Sequence, residues 1–233
     1  ADLVPPTLAL RLLSEGGRQA RFSVIAPVRV AGRAAAGLRM TTADPESTVG
    51  RVDIWADPFS GLPLMVEVFG RGSGRPALKS LFFQVSPWHP DPRVLAPARA
   101  PGTGFTVTSA GRLAGALSNL ELVALPAELA GRIRLPVQPG FETVGAYGGG
   151  LTTFAVLGVR GSAGRRLIPD AVKAGGAPLV IAGGAAAEIS APLLNAVLVR
   201  PPGFFVTFLL AGTVSTQLLE QAATALTELV TLS

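Results

Sequence analysis

Apolar and polar positions are patterned most plainly between Arg51 and Phe69, RVDIWADPFSGLPLMVEVF. Two apolar runs, Val52 to Trp55 and Leu62 to Phe69, are separated by Asp57-Pro58-Phe59-Ser60-Gly61. Pro58 pre-sets the φ required at the second position of a type I turn, and Gly61 can take the left-handed conformation that closes such a loop with a bulge. The pattern predicts a β-hairpin. Val52, Ile54, Leu62, Leu64, Val66 and Val68 share one parity. Trp55, Met65 and Phe69 share the other, interrupted by Asp53 and Glu67. A sheet covered on one side alternates more cleanly, so part of the second face is expected to lie against protein or ligand.

The flanking sequence extends this hairpin into an antiparallel meander. Thr7 is expected to cap a short helix over LALRLLSE that Gly16-Gly17 ends. Strands follow over Arg21 to Val30, Ala36 to Thr42, the two hairpin arms, and Ala77 to Val85. Their turns fall at Gly32-Arg33, Asp44 to Ser47, and Gly70 to Gly74. Ser86 to Gly104 holds five prolines and no periodicity, which reads as a linker or stiff loop. The expected division is a first sheet domain over 1–86, a Pro-rich linker over 87–104, and a second sheet domain over 105–233.

The second half is less regular. A strand is expected at Leu120 to Leu125 and a helical turn at Pro126 to Arg132. A hairpin is expected from Thr143 to Val159 around Gly148-Gly149-Gly150. Gly161 to Gly176 reads as a short helix bearing Arg165, Arg166 and Lys173. Leu179 to Ile181, Leu193 to Val199 and Phe204 to Ala211 read as strands. Ser215 caps a last helix, Thr216 to Val230, whose Leu218, Leu219, Ala222, Ala225, Leu226 and Leu229 recur at helical spacing and face a sheet. The fold class is α+β, mainly antiparallel β.

Composition sharpens the picture. Of 233 residues 48% are apolar and only 15% charged, with mean hydropathy +0.46. No window of about 18 residues is uninterruptedly apolar, as a spanning helix requires, so the excess implies a large core or an apolar pocket. Ala1 is not followed by the basic and apolar regions of a signal peptide, which fits a mature or trimmed chain. Cys is absent, which excludes disulfides, Cys-ligated zinc and thiol catalysis. The net charge of +5 comes from scattered arginines. There is no helix-turn-helix, no ribonucleoprotein aromatic motif and no basic cluster, so nucleic acid is not an expected partner.

Candidate chemistry is sparse. His89 is the sole histidine; beside Asp91 it invites a catalytic or metal reading, but a loop His between prolines is the better account. GRGSG and YGGGL lack the strand, loop and Lys-Ser/Thr context of a phosphate cradle and read as turns. Asp53 and Glu67 are expected nearly opposite one another, where like charges repel unless Arg51 or Arg39 neutralises them. As a carboxylate pair they are the residues a hydrolase would use. Asp57, before Pro58, reads as a turn former. No metal, cofactor or catalytic constellation is expected, and apolar surface without chemistry points to binding.

Several segments resemble the RseB/MucB family. They are Ala31-Gly32-Arg33, Asp44-Pro45, Ile54-Trp55-Ala56-Asp57 and Ser60-Gly61-Leu62-Pro63-Leu64. In the second half they are Tyr147-Gly148-Gly149-Gly150-Leu151-Thr152-Thr153-Phe154, and Phe205-Val206-Thr207 through Gly212-Thr213-Val214. The match is collinear from Arg21 to Leu229. It departs at Gly148-Gly149, where the family carries an acid, and in a Gly/Ala-rich insert from Gly161 to Ala191. The resemblance implies a LolA/LolB-like open half-barrel, here lacking its front part, with an acyl-binding concave face, followed by a smaller sheet domain with a C-terminal helix.

Members of that family are extracytoplasmic, in the periplasm or cell envelope. They bind the periplasmic part of a membrane-bound anti-sigma factor, shield it from proteolysis, and release it on sensing lipid-bearing signals. The expected function is thus a non-enzymatic sensor or regulator, with any membrane anchor in a segment ahead of Ala1. A lipid or lipoprotein acyl chain would lie on Trp55, Met65 and Phe69, with Leu38, Met40, Phe82 and Phe83 as neighbours. A lipid or lipoprotein carrier of LolA type, without a regulatory partner, is the alternative. An open sheet edge offers pairing with a second copy as a homodimer.

Overall fold

The computed structural model describes residues 3–16, 20–86, 120–121, 125–136 and 143–231. The expected linker at 87–104, with His89 and Asp91, lies outside them. The first sheet contains α1 (Pro5–Gly16), β1 (Ala20–Val30), β2 (Arg33–Thr42), β3 (Val49–Ala56), β4 (Pro63–Gly70) and β5 (Pro76–Leu81). Its strands lie in chain order and pair antiparallel throughout. The meander follows from its turns. Asp57 N–H donates to Leu62 O and Gly61 N–H to Asp57 O, with Gly61 at φ +70°. The β1–β2 turn falls on Ala31-Gly32, at φ +51° and +77°, one residue earlier than expected. Two successive positive φ values make a type I′ turn, whose twist matches the strands.

The helix α1 begins at Pro5, not at a Thr7 cap. Proline suits the first helical turn because its missing N–H has no partner there in any case. The apolar side of α1, Leu8 and Ala9 with Leu12 and Leu13, covers Met40, Val52, Ile54, Val66 and Val68 on one face of the sheet. Each such side chain removed from water contributes roughly 1.5–3 kcal/mol. β5 ends at Leu81, four residues sooner than expected, and the chain then turns along the opposite face.

The second half contains β6 (Leu120–Glu121), β7 (Glu128–Leu129), β8 (Arg132–Ile133), β9 (Val144–Gly149), β10 (Thr152–Arg160), α2 (Gly161–Lys173), β11 (Ala177–Ile181), β12 (Gly184–Ser190), β13 (Asn195–Arg200), β14 (Val206–Gly212) and α3 (Thr216–Thr231). The second sheet runs β11-β12-β13-β14-β10, and both β9 and β6 pair with the outer edge of β10. Helix α2 packs Ile168 and Ala171 against Ala187 and Leu198. Helix α3 packs Leu218, Leu219, Ala222 and Leu226 on the other side against Val197, Phe208 and Leu210. Ser215 caps α3 as expected, its Oγ accepting Leu218 N–H at 3.1 Å.

Two expectations are corrected here. Pro126 to Arg132 is not a helical turn but the β7–β8 hairpin, closed by Ala130-Gly131 at φ +49° and +72°. β12, GAAAEIS, was not expected as a strand. It is held between β11 and β13 by ladders on both sides, so tertiary pairing outweighs its weak local preference.

Candidate functional site

The residues expected to form one apolar face divide between the two faces of the first sheet. Register decides this. Leu38 pairs with Ile54 and Met40 with Val52, whereas Trp55 pairs with Gly37 and Met65. Leu38 and Met40 therefore share the α1 face, and Met40 is sealed beneath the helix, where a Cβ on Gly16 would meet its sulfur at 2.5 Å. Trp55 and Met65 lie on the opposite face in a cluster with Val30, Ala35 and Leu64, joined by half-buried Ile25, Val28, Leu81, Phe82 and Val85. Phe83, next along the chain, is 89% exposed.

Trp55 is held by its surroundings. Its indole Nε1–H donates to Ala26 O at 3.1 Å. To reach that carbonyl on β1 the ring crosses Gly37, where a Cβ would lie 2.9 Å from Nε1. Ala26 sits at an irregularity in the β1–β2 register, between Ile25 and Val28. Such bulges free a carbonyl from the ladder.

A band of charge separates this cluster from Phe69. Asp53 and Glu67 are directly opposite, as expected. Arg39 grips buried Asp53 through two hydrogen bonds of 2.7 Å, and that bond holds the guanidinium above its ordinary range. Arg51 approaches Asp53 at 3.5 Å and lies 3.7 Å over the Phe69 ring, a cation–π contact. Lys79 pairs with Glu67 at 2.7 Å. Both carboxylates are thus committed to cations. Phe69 belongs to this ionic band and does not join the Trp55 cluster.

Beside the Trp55 cluster a groove of about 600 Å³ is lined by Arg33, Asp57, Ser60, Leu62, Val85 and Ser86 among others. Leu62 and Val85 belong to both the groove and the cluster. Asp57 forms its rigid wall. Its carboxylate pairs with Arg33 and accepts the Phe59 and Ser60 N–H groups. The Arg33 bond, then those two N–H groups, hold its carboxyl below the usual range. Phe59, at the hairpin tip, is 95% exposed.

The junction between the sheets was not read from the sequence. Asp44 to Ser47, where the sequence predicts only a turn, reaches with Thr48 into the second half. Ser47 Oγ–H donates to Leu151 O at 3.0 Å, and Thr48 Oγ1–H to Leu193 O at 2.7 Å. Thr48 N–H donates to Thr213 O and Ser215 N–H to Glu46 O. Arg132 pairs with Asp44 at 2.8 Å. Burial alone would push the Asp44 carboxyl up, but the bonds from Arg132 and the Glu46 N–H outweigh it and leave it lowered. A cavity of about 430 Å³ adjoins this junction, lined by Glu15, Gly16, Arg132 and the Gly148–Gly150 turn among others. The polar residues crowded into DPEST were the available signal, but any exposed turn carries the same composition.

No family profile matches the chain, and no curated protein sequence matches it. Solved structures do. A crystal structure of MucB in complex with MucA(peri) superposes with a TM-score of 0.51 at 20% identity, over 93% of this chain and 71% of that one. The fold is MucB-like. The complex structure of Pseudomonas aeruginosa MucA/MucB gives a TM-score of 0.50 at 20% identity, over 90% of this chain. The present chain spans 65% of that MucB-like neighbour's length. An open antiparallel sheet with a helix on one face, followed by a second sheet with a C-terminal helix, is the arrangement the sequence resemblance implied.

Proposed function

We propose that the chain is a non-enzymatic, extracytoplasmic regulator of RseB/MucB type that binds the extracytoplasmic part of a membrane-bound anti-sigma factor. The observation that carries this reading is the fold likeness to MucB solved together with MucA(peri). The sheet meander and the Trp55-Ala56-Asp57 hairpin lie in the order that the sequence resemblance requires. In this reading the chain comprises two domains joined through 87–104, the first being a partial LolA-like sheet. A lipid or lipoprotein acyl chain enters the groove beside Asp57 and packs on Trp55, Met65 and Phe82. Phe83, already exposed, closes over it.

Photo-crosslinking in the cell envelope of the source organism tests the partner. Recovery of a membrane protein with a sigma-binding cytoplasmic region is expected. Transfer of acyl cargo between membranes without such a partner would instead make the chain a carrier. Native mass spectrometry tests the ligand: an acyl adduct on the wild type that is lost in Trp55→Asp supports the groove, and an adduct that persists contradicts it.

A further inference from the structure

The far end of the second sheet carries an exposed apolar and basic patch for which neither sheet core has a use. The β13–β14 turn, Pro201 to Phe205, is held by the Phe204 N–H bond to Pro201 O, with Gly203 at φ +77°. It presents Phe205, 80% exposed, next to exposed Phe204. Val180 on β11 is also exposed, and it pairs with Ala185, the partner of Arg200.

Basic groups converge on the same end. Arg200 donates from Nε to Thr207 Oγ1 at 3.2 Å and from Nη2 to Arg165 O at 2.9 Å. Thr207 Oγ1–H in turn donates to Gly164 O at 2.8 Å. These bonds tie the first turns of α2, which carry exposed Arg165 and Arg166, to the base of the hairpin that carries the two phenylalanines. Among the described residues no carboxylate pairs with Arg165, Arg166 or Arg200. The nearest acid on α2 is Asp170, one turn beyond Arg166.

We propose that this end of the molecule docks on the surface of an anionic lipid bilayer. Aromatic rings fixed on a turn suit the boundary between headgroups and acyl chains, and the exposed guanidinium groups of Arg165 and Arg166, without a carboxylate partner, suit the phosphates above it. The patch has the opposite sign to such a surface, and its apolar part projects from the fold where a protein-binding groove would recede. The inference is independent of the acyl site on the first sheet and of the anti-sigma partner.

The test is sedimentation of the whole chain with vesicles of phosphatidylcholine alone or mixed with phosphatidylglycerol. Binding to the mixed vesicles only, weakened by salt, is expected. Phe204→Ser with Phe205→Ser should lower partitioning at least about tenfold. Arg165→Ala with Arg166→Ala should lower it about fivefold for each arginine. All four residues are exposed, so these variants should keep the wild-type thermal transition. The chain has no cysteine, so Phe205→Cys gives a unique attachment point for a polarity-sensitive dye, whose emission should shift to the blue on anionic vesicles. No binding, equal binding to both vesicle types, or an unshifted dye would overturn the proposal. So would binding lost in Trp55→Asp but kept in the phenylalanine variant, which assigns the lipid to the first sheet.

Discussion

Gly37→Ala should disturb the Trp55 cluster more than any other change of one methyl group. The added Cβ would lie 2.6 Å from Ile25 Cγ1, 2.9 Å from Trp55 Nε1 and 3.0 Å from Ala26 O. Ordinary carbon contacts begin at 3.4 Å, so the indole must tilt away. Its bond to Ala26 O is then lost, at about 1–3 kcal/mol for a buried group left unpaired. Overpacking adds about 1–3 kcal/mol, and alanine regains about 0.5–1 kcal/mol over glycine in a strand. The net loss is about 1–5.5 kcal/mol. Urea unfolding followed by Trp55 emission, in a Trp88→Phe background, measures it. Trp55→Phe removes Nε1, so on that background Gly37→Ala should cost less by the lost bond, about 1–3 kcal/mol, while the contact with Ile25 Cγ1 at 2.6 Å remains. A loss under about 0.5 kcal/mol with unchanged emission in the Trp55 protein would refute the packing argument.

Arg39→Ala should cost about 1–3 kcal/mol, discounted because the Arg39 side chain is 36% exposed. Arg39→Ala combined with Asp53→Ala should cost less than Asp53's loss of its partner alone, and a double-mutant cycle by urea unfolding reads the difference. Asp44 and Asp57 both have lowered carboxyl pKa values in the folded chain, so the unfolded chain binds protons first as pH falls. Their contribution is complete above about pH 4 and is lost as pH drops through the folded values; the urea midpoint should fall there, less steeply in Arg132→Ala. Ala182, at φ +47° in the β11–β12 turn, is strained, and Ala182→Gly should raise the thermal midpoint through relief of about 1 kcal/mol. An unchanged or lowered midpoint would contradict that.

The first sheet was legible because its strands alternate and its central turn uses Pro58 and Gly61, residues with one structural meaning each. Neutralisation of Asp53 by Arg39 and Arg51 was legible from the expected pairing, whereas Glu67 takes Lys79 instead of an arginine. What hid the rest has identifiable causes. Three hairpins turn on Ala-Gly pairs, Ala31-Gly32, Ala130-Gly131 and Ala182-Gly183, where Asn-Gly or Asp-Gly is the usual sign. In a chain so rich in Ala and Gly these pairs do not stand out, so β12 and the β7–β8 hairpin went unread.

Which expected site residues share a face depended on the β2–β3 register, which hydrophobic pattern alone left open for Leu38 and Met40. The Asp44–Thr48 junction was invisible for another reason. Its hydrogen bonds span from 62 positions, counting the Thr213–Leu151 bond beside it, to 169 for Ser215 and Glu46. No local pattern records such pairings.

The most direct test of the regulator reading is a calorimetric titration of this chain with the purified extracytoplasmic segment of the anti-sigma factor from the same source. Saturable binding near one-to-one stoichiometry is expected, with heat that vanishes when the segment's sequence is scrambled. Absence of binding by a chain whose thermal transition shows it folded would rule out that regulatory role. It would leave a MucB-like fold that serves another partner.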